Sequence, residues 1–224
     1  MLLILAATVW LVLHIGLAGT SLRGRLVARL GENGFRGVYS LISIVAIAAL
    51  SAAYASTPAA PMWAVPVWLG WILVAVMLPA FVLLVASAAS PNPTAVGAET
   101  RPDAEPRGIF RITRHPMLWA FTIWGVVHII TNGTWTAVVF FGAFAVTALA
   151  GMPSIDAKLA ARSPERWARL ARTTSIVPGV AILAGRNRLD WREIGWVVPL
   201  IGVVVWAIVL GGHPYVIGYP AIPQ

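Results

Sequence analysis

The chain contains four histidines, His14, His115, His128 and His213, and no cysteine. Disulfides, thiolate metal sites, cysteine nucleophiles and c-type haem attachment are therefore excluded, and a metal or haem iron would have to be held mainly by imidazole nitrogen. His115 lies in the stretch richest in polar chemistry, FRITRHPMLWAF at 110–121, where Arg111, Thr113, Arg114 and His115 directly precede Pro116. Pro116 suits the first position of a helix, because the N–H it lacks would have no intrahelical partner there. The N–H groups that follow, the positive end of the helix dipole and the two guanidinium groups together make an anion site beside an imidazole. A haem propionate, the carboxylate of S-adenosylmethionine and a lipid phosphate all satisfy that description, and charge alone does not choose among them.

For these residues to act together they must lie at one depth in whatever carries them. With 59% hydrophobic and 11% charged residues in 224, and a mean hydropathy of +0.82, the chain falls far outside the range of soluble domains and reads as an all-α integral membrane protein. The net charge of +8 does not point to nucleic acid, because the basic residues occupy only three intervals: Arg23 to Arg36, Arg101 to Arg114, and Lys158 to Arg192. The acidic residues fall in the same three regions, Glu99, Asp156 and Glu193 lying one or two positions beyond the basic limits.

The uncharged segments between them resolve into six expected spans, near 1–18, 36–56, 64–88, 116–131, 134–153 and 194–212, each of roughly the length that crosses about 30 Å of hydrocarbon as a helix. The first lacks the positive leader of a signal peptide and is read as a retained helix. The turns STPAAPMW and TNGT are short and neutral, whereas the other three connections carry all the lysine and arginine. The positive-inside rule then puts those three in the cytoplasm and both termini outside. PNPTAVGAETRPDAEP, residues 91–106, is expected as a Pro-rich cytoplasmic loop, and the interval 154–175, with Ile155, Leu159, Trp167 and Leu170 recurring among basic residues, as an amphipathic helix on the cytoplasmic interface in contact with membrane lipid.

This topology divides the histidines by depth. His14 and His115 form an inner pair; His128, about 20 Å along the fourth span from His115 at 1.5 Å per residue, and His213, expected to follow the sixth span, form an outer pair. Two imidazoles on different helices can hold a haem iron from opposite faces, and ionisable groups beside membrane spans are costly enough to mark function.

Two families share these residues. GIFRITRHPMLWA at 108–120 is similar to the glycine, aromatic, Arg-His-Pro motif of isoprenylcysteine carboxyl methyltransferases, in which it helps hold S-adenosylmethionine, and Ile155 to Pro178 resembles their acidic, aromatic and Val-Pro segment. This chain has Leu118 and Trp119 where that family has a tyrosine, and Ile155 and Asp156 where it has a Glu-Glu pair. HIGLAG at 14–19, GVYSLIS at 37–43, GIFRITRHPMLWAF at 108–121, the WGVVHIITNG run at 124–133 and the SIVPG stretch resemble the NnrU family, which includes 15-cis-zeta-carotene isomerases, over most of the chain.

The NnrU resemblance implies one transmembrane domain over 1–224 in a bacterial inner membrane, with haem b bound through His14 and His115 as axial ligands to the iron, and with Arg111 and Arg114 available to its propionates. It implies redox-dependent isomerisation of a polyene such as zeta-carotene, or a part in nitrogen-oxide metabolism with nitric oxide as a ligand. The alternatives are a methyltransferase using S-adenosylmethionine at the same inner site and a non-catalytic accessory protein for denitrification. An apolar substrate would enter between spans lined by Trp71, Trp119, Phe121 and Trp124, aromatics that also serve as packing and interface anchors.

Overall fold

Among the described residues the chain is helical, with no strand beyond one isolated antiparallel bridge between Pro61 and Thr134. The structure is a computed structural model and describes residues 1–17, 19–94 and 105–222. Most of the Pro-rich connection expected at 91–106, Arg101 included, lies outside the described residues.

Helix α1, Leu2–Leu11, runs on as a π-helical stretch over Val12–Leu17. After it come α2, Leu22–Ser56, and α3, Val67–Ala89. The single turn α4, Ile109–Ile112, leads into α5, Pro116–Asn132, and α6, Trp135–Arg162. Helix α7 covers Pro164–Thr173, α8 Val180–Leu183, α9 Trp191–Ile194 and α10 Val197–Ile217. Four of these, α2, α3, α6 and α10, are long and apolar enough to cross a membrane, and Leu2–Leu17 forms a shorter apolar helix. The protein is an integral membrane protein.

Three boundaries differ from the sequence expectation, each for a local reason. The Leu-, Arg- and Ala-rich stretch before the second span is itself helical from Leu22, but Gly31, at φ 73° and ψ 164°, breaks α2 into two helices, and the second, which carries the span, starts close to the expected 36. Helix α6 carries Pro153 inside it and continues to Arg162, so the interval 154–175 is two pieces rather than one amphipathic helix. The break falls at Ser163 (φ −146°, ψ 72°), since a residue before proline is pushed out of the α region and Pro164 then opens α7 at its first turn. The last helix extends to Ile217, so His213 sits within it and does not follow it.

The described residues group into two compact units, whose limits fall inside α5 and α6. In the first, residues 1–65 and 125–151, α1 packs on α2 through Leu3, Ala7, Trp10, Leu50 and Ala53, joined by Ala143 of α6. The opposite side of α1 is apolar too: Leu2, Ile4 and Leu5 are each more than half exposed, as expected where the surrounding solvent is lipid. The two short neutral turns of this unit are bonded to each other. The Met62 and Trp63 N–H groups donate to the Gly133 carbonyl at 2.7 and 3.2 Å, and the Trp63 indole N–H donates to the Ile130 carbonyl at 2.9 Å. Gly133 has φ +60°, and a Cβ there would fall on the Trp63 carbonyl oxygen, so only glycine fits.

In the second unit, residues 66–124 and 152–224, α10 packs along α3. Ile109 and Phe110 of α4 are buried against Ala86, with Leu83 and Val198 beside them. That anchor fixes the residues immediately following α4.

Candidate functional site

Thr113, Arg114, His115 and Pro116 are all buried. The polypeptide here is extended, so its backbone groups need partners from elsewhere, and the SIVPG stretch provides them. The Arg114 N–H donates to the Ser175 carbonyl at 3.1 Å and the Gly179 N–H to the Ile112 carbonyl at 2.8 Å. The Thr113 hydroxyl donates to the Ile176 carbonyl at 2.6 Å. Trp119, one turn into α5, gives its indole N–H to the same carbonyl at 2.8 Å. Two motifs that are far apart in sequence thus form one rigid seat.

Asp156, on the continuation of α6 beyond Pro153, faces that seat. Arg114 donates to it from Nε at 2.9 Å and from Nη2 at 2.7 Å, a two-pronged ion pair with both side chains about nine-tenths buried. The His115 Nε2–H donates to the other carboxylate oxygen at 2.8 Å. The Arg114 guanidinium also lies over the Trp167 ring of α7, 5.0 Å from its centre. The anion that Arg114 and His115 hold in this structure is therefore a carboxylate of the chain itself.

Arg111 is matched in the same way. Its Nε and Nη2 donate to the two oxygens of Glu193 at 2.6 and 2.8 Å, and its Nη1 donates to Asn187 Oδ1 at 2.8 Å. The Gly108 N–H adds a bond to Glu193 at 2.9 Å; Gly108 has φ +57°, and a Cβ there would press to 3.4 Å from the Glu193 carbonyl oxygen. The Arg111 guanidinium, with the Gly108 N–H second, pulls the Glu193 carboxyl down to about 2, and the hydrogen bond to Glu193 pushes Arg111 upward.

The remaining histidines have other neighbours. His14 lies in the π-helical stretch, stacks on Trp10 with ring centres 3.8 Å apart, and has its Nδ1 2.9 Å from the Trp10 carbonyl. The edge of Tyr39 faces it at 5.7 Å. The His128 ring is tilted against that of Phe141, with centres 4.7 Å apart, and His213 Nδ1 is bonded to the Tyr219 carbonyl at 2.6 Å. His14 belongs to the first unit and His115 to the second. Among the described residues no cluster of three or more His, Asp or Glu side chains forms a metal cage.

Of the expected aromatic lining, Phe121 and Trp124 border an apolar cleft of about 180 Å³ with Met77, Phe81 and Leu84 of α3. Trp119 is instead committed to the Ile176 carbonyl, and Trp71 is 50% exposed. Sequence reasoning missed Glu193 and Asn187 altogether and met Asp156 only as a departure from a Glu-Glu pair. No local spacing marks them, because their partners lie 82, 76 and 42 positions away.

Residues 2–221 match a family model described as NnrU protein. A curated relative from Zea mays, "15-cis-zeta-carotene isomerase, chloroplastic", is 31% identical over 108 residues, which cover 47% of this chain and 29% of that protein. The match thus takes in less than a third of the relative's length. No solved structure matches.

Proposed function

Because the chain belongs to the NnrU family, we propose that it is a membrane isomerase acting on an extended polyene such as zeta-carotene, with haem b as its prosthetic group. Kinship with a protein named as a 15-cis-zeta-carotene isomerase carries this reading. The apolar cleft between α3 and α5 supports it: at about 180 Å³ it is smaller than the roughly 300–1,000 Å³ of small-molecule pockets and so suits a segment of a long chain rather than a compact ligand. Phe121 and Trp124 would grip that segment by ring contact and keep water from it.

The residues fit haem unequally. His14 has the arrangement expected of an axial ligand: Nδ1 is fixed by a backbone carbonyl, which leaves Nε2 for iron. His115 has the opposite arrangement, since its Nε2 is held by Asp156 and only Nδ1 remains to join as second ligand. Arg111 and Arg114 already carry Glu193 and Asp156, so propionate binding would require those carboxylates to yield. When bound, haem supplies an iron whose oxidation state governs whether a small ligand or a double bond is held near it. Asp156 and Arg114 orient the His115 ring beside the start of α5. The same paired arginines give the S-adenosylmethionine alternative no added support.

In this reading the chain crosses the membrane six times, with α1 and its π-helical extension, α5, and the four longer helices as spans and with both termini outside the cytoplasm. The segregation of charge supports that topology, and the bonded turns 60–63 and 133–135 agree with it because both belong to the neutral side.

The test is conversion of cis-zeta-carotene by protein purified with haem and reconstituted in liposomes, with isomers resolved by chromatography. Conversion on reduction, lost in His14→Ala, is the expected result. Haem-loaded protein that converts nothing in either oxidation state refutes the isomerase reading. Protein made with ample haem but without a Soret band refutes the haem reading.

A further inference from the structure

A second cavity, of about 600 Å³, lies within the second unit between α4, α7 and the stretch after α8. We propose that it binds a phosphate group, carried by a small organic molecule or by a lipid headgroup. This inference does not rest on the isomerase reading.

Five arginines line the cavity, Arg111, Arg166, Arg169, Arg172 and Arg186, and Glu105 is the lining carboxylate among the described residues. Glu193 offsets Arg111 from behind. Among the described residues the lining is thus predominantly cationic. Topology-setting arginines need only reach water or lipid headgroups; these gather around one open-mouthed cavity.

Two residues of the lining each carry a buried donor that lacks an acceptor. Arg166 is 9% exposed; its Nη2 donates to the Pro93 carbonyl at 2.9 Å, while its Nη1 is buried without an acceptor. Asn187 has its Oδ1 taken by Arg111 Nη1 and by the Arg188 N–H, which fixes the amide so that Nδ2 is the remaining donor, and that atom is also buried without an acceptor. A buried donor left unmade is costly and marks a position where a partner belongs. Arg186 is held at the C-terminal end of α7, its Nη1 donating to the carbonyls of Ala171, Arg172 and Thr174, so its charge is fixed in place before any ligand arrives.

Several guanidinium groups around one cavity favour phosphate over carboxylate. A phosphate ester brings nearly two negative charges and three acceptor oxygens, which planar guanidinium groups meet two at a time. The volume exceeds that of a bare phosphate and falls in the usual range for organic ligands.

Detergent-purified protein is titrated with pyrophosphate at constant ionic strength, with chloride as reference, and its melting temperature is followed; a parallel titration uses phosphatidic acid against phosphatidylcholine in mixed micelles. A saturable rise with pyrophosphate, weakened about tenfold in Arg166→Gln and Arg172→Gln but not in Arg29→Gln, establishes the site with a soluble phosphate as its ligand. A saturable rise with phosphatidic acid only, with the same dependence on the variants, establishes it with a lipid headgroup. If Arg166→Gln does not fold, the exposed Arg172 decides. No saturation with either probe, or equal weakening by Arg172→Gln and Arg29→Gln, overturns the proposal.

Discussion

Nε2 of His115 lies 2.8 Å from Oδ1 of Asp156, across 41 positions of sequence, and the same carboxylate takes two nitrogens of Arg114. An imidazole and a guanidinium that read as recruiting an anion from outside therefore share one from within. A buried ion pair of this kind gains little over apolar side chains of similar shape, but breaking it from one side strands a charge.

Asp156→Ala is expected to destabilise the protein by about 3–5 kcal/mol, the usual cost of leaving a buried partner charge uncompensated. The double variant Arg114→Met with Asp156→Leu should lose less than Asp156→Ala alone. Thermal melting in a single detergent checks both; a double variant at least as unstable as the single one would show that Arg114 and Asp156 act independently.

The Glu193 carboxyl is held at about 2, against an ordinary value of 4.5, chiefly by Arg111. A lowered carboxylate adds stability that is fully present above its unfolded value and is lost as pH falls toward its folded value. The melting temperature of the wild type should therefore decline between about pH 4.5 and about 2, and Glu193→Gln, without that titration, should give a flatter curve over this window. Parallel curves would remove Glu193 as the cause.

On the haem proposal, His14→Ala made with ample haem should lack the Soret band shown by the wild type, because His14 presents an uncommitted Nε2. Asp156→Asn should alter the ligation spectrum only if His115 is the second ligand, since it changes the group that orients the ring. His213→Ala, at a side chain bonded to the Tyr219 carbonyl, should leave the spectrum as it is. Reduced-minus-oxidised difference spectra separate these outcomes.

Gly133→Ala should cost about 1–3 kcal/mol, because Gly133 is at φ +60° and its added methyl would meet the Trp63 carbonyl. Melting measurements on Gly133→Ala and on Gly211→Ala, a position where a Cβ meets nothing within 4 Å, provide the comparison; equal losses would mean the turn has room to move.

Reporters fused after Pro61 and after Gly133 should occupy the same compartment, since those turns are bonded to each other, and that compartment should be the outside. A reporter at Arg188 should read as cytoplasmic. Opposite readings for the first two would contradict the bonded turns themselves.

The membrane class and most helices were legible because hydropathy and charge segregation are local properties; the limits of α3 and α5 fall within a few residues of expectation. The misplaced boundaries were at residues where local signals compete. The expected fifth span ends at 153, yet Pro153 is tolerated inside α6, which runs on to Arg162, and the break falls at the Ser163–Pro164 step. At the site, FRITRHP was legible as a cluster, but its counter-charges were not. Asp156 reaches Arg114 only because α6 continues past the apolar part of the span, and Glu193 reaches Arg111 only because the chain returns after α8. Pairings at such separation leave no periodicity to read.

The contact between the two neutral turns bears on how the chain is made. Trp63 and the carbonyl of Ile130 are 67 positions apart, so at roughly 5–20 residues per second the first turn waits roughly 3 to 13 seconds for its partner to be synthesised. In that interval the N–H groups of Met62 and Trp63 lack their acceptor at Gly133. A ribosome-bound chain arrested before Gly133 should then exchange those amide protons freely, and one arrested well beyond it should protect them, so the clasp records the moment at which the first unit closes during biosynthesis.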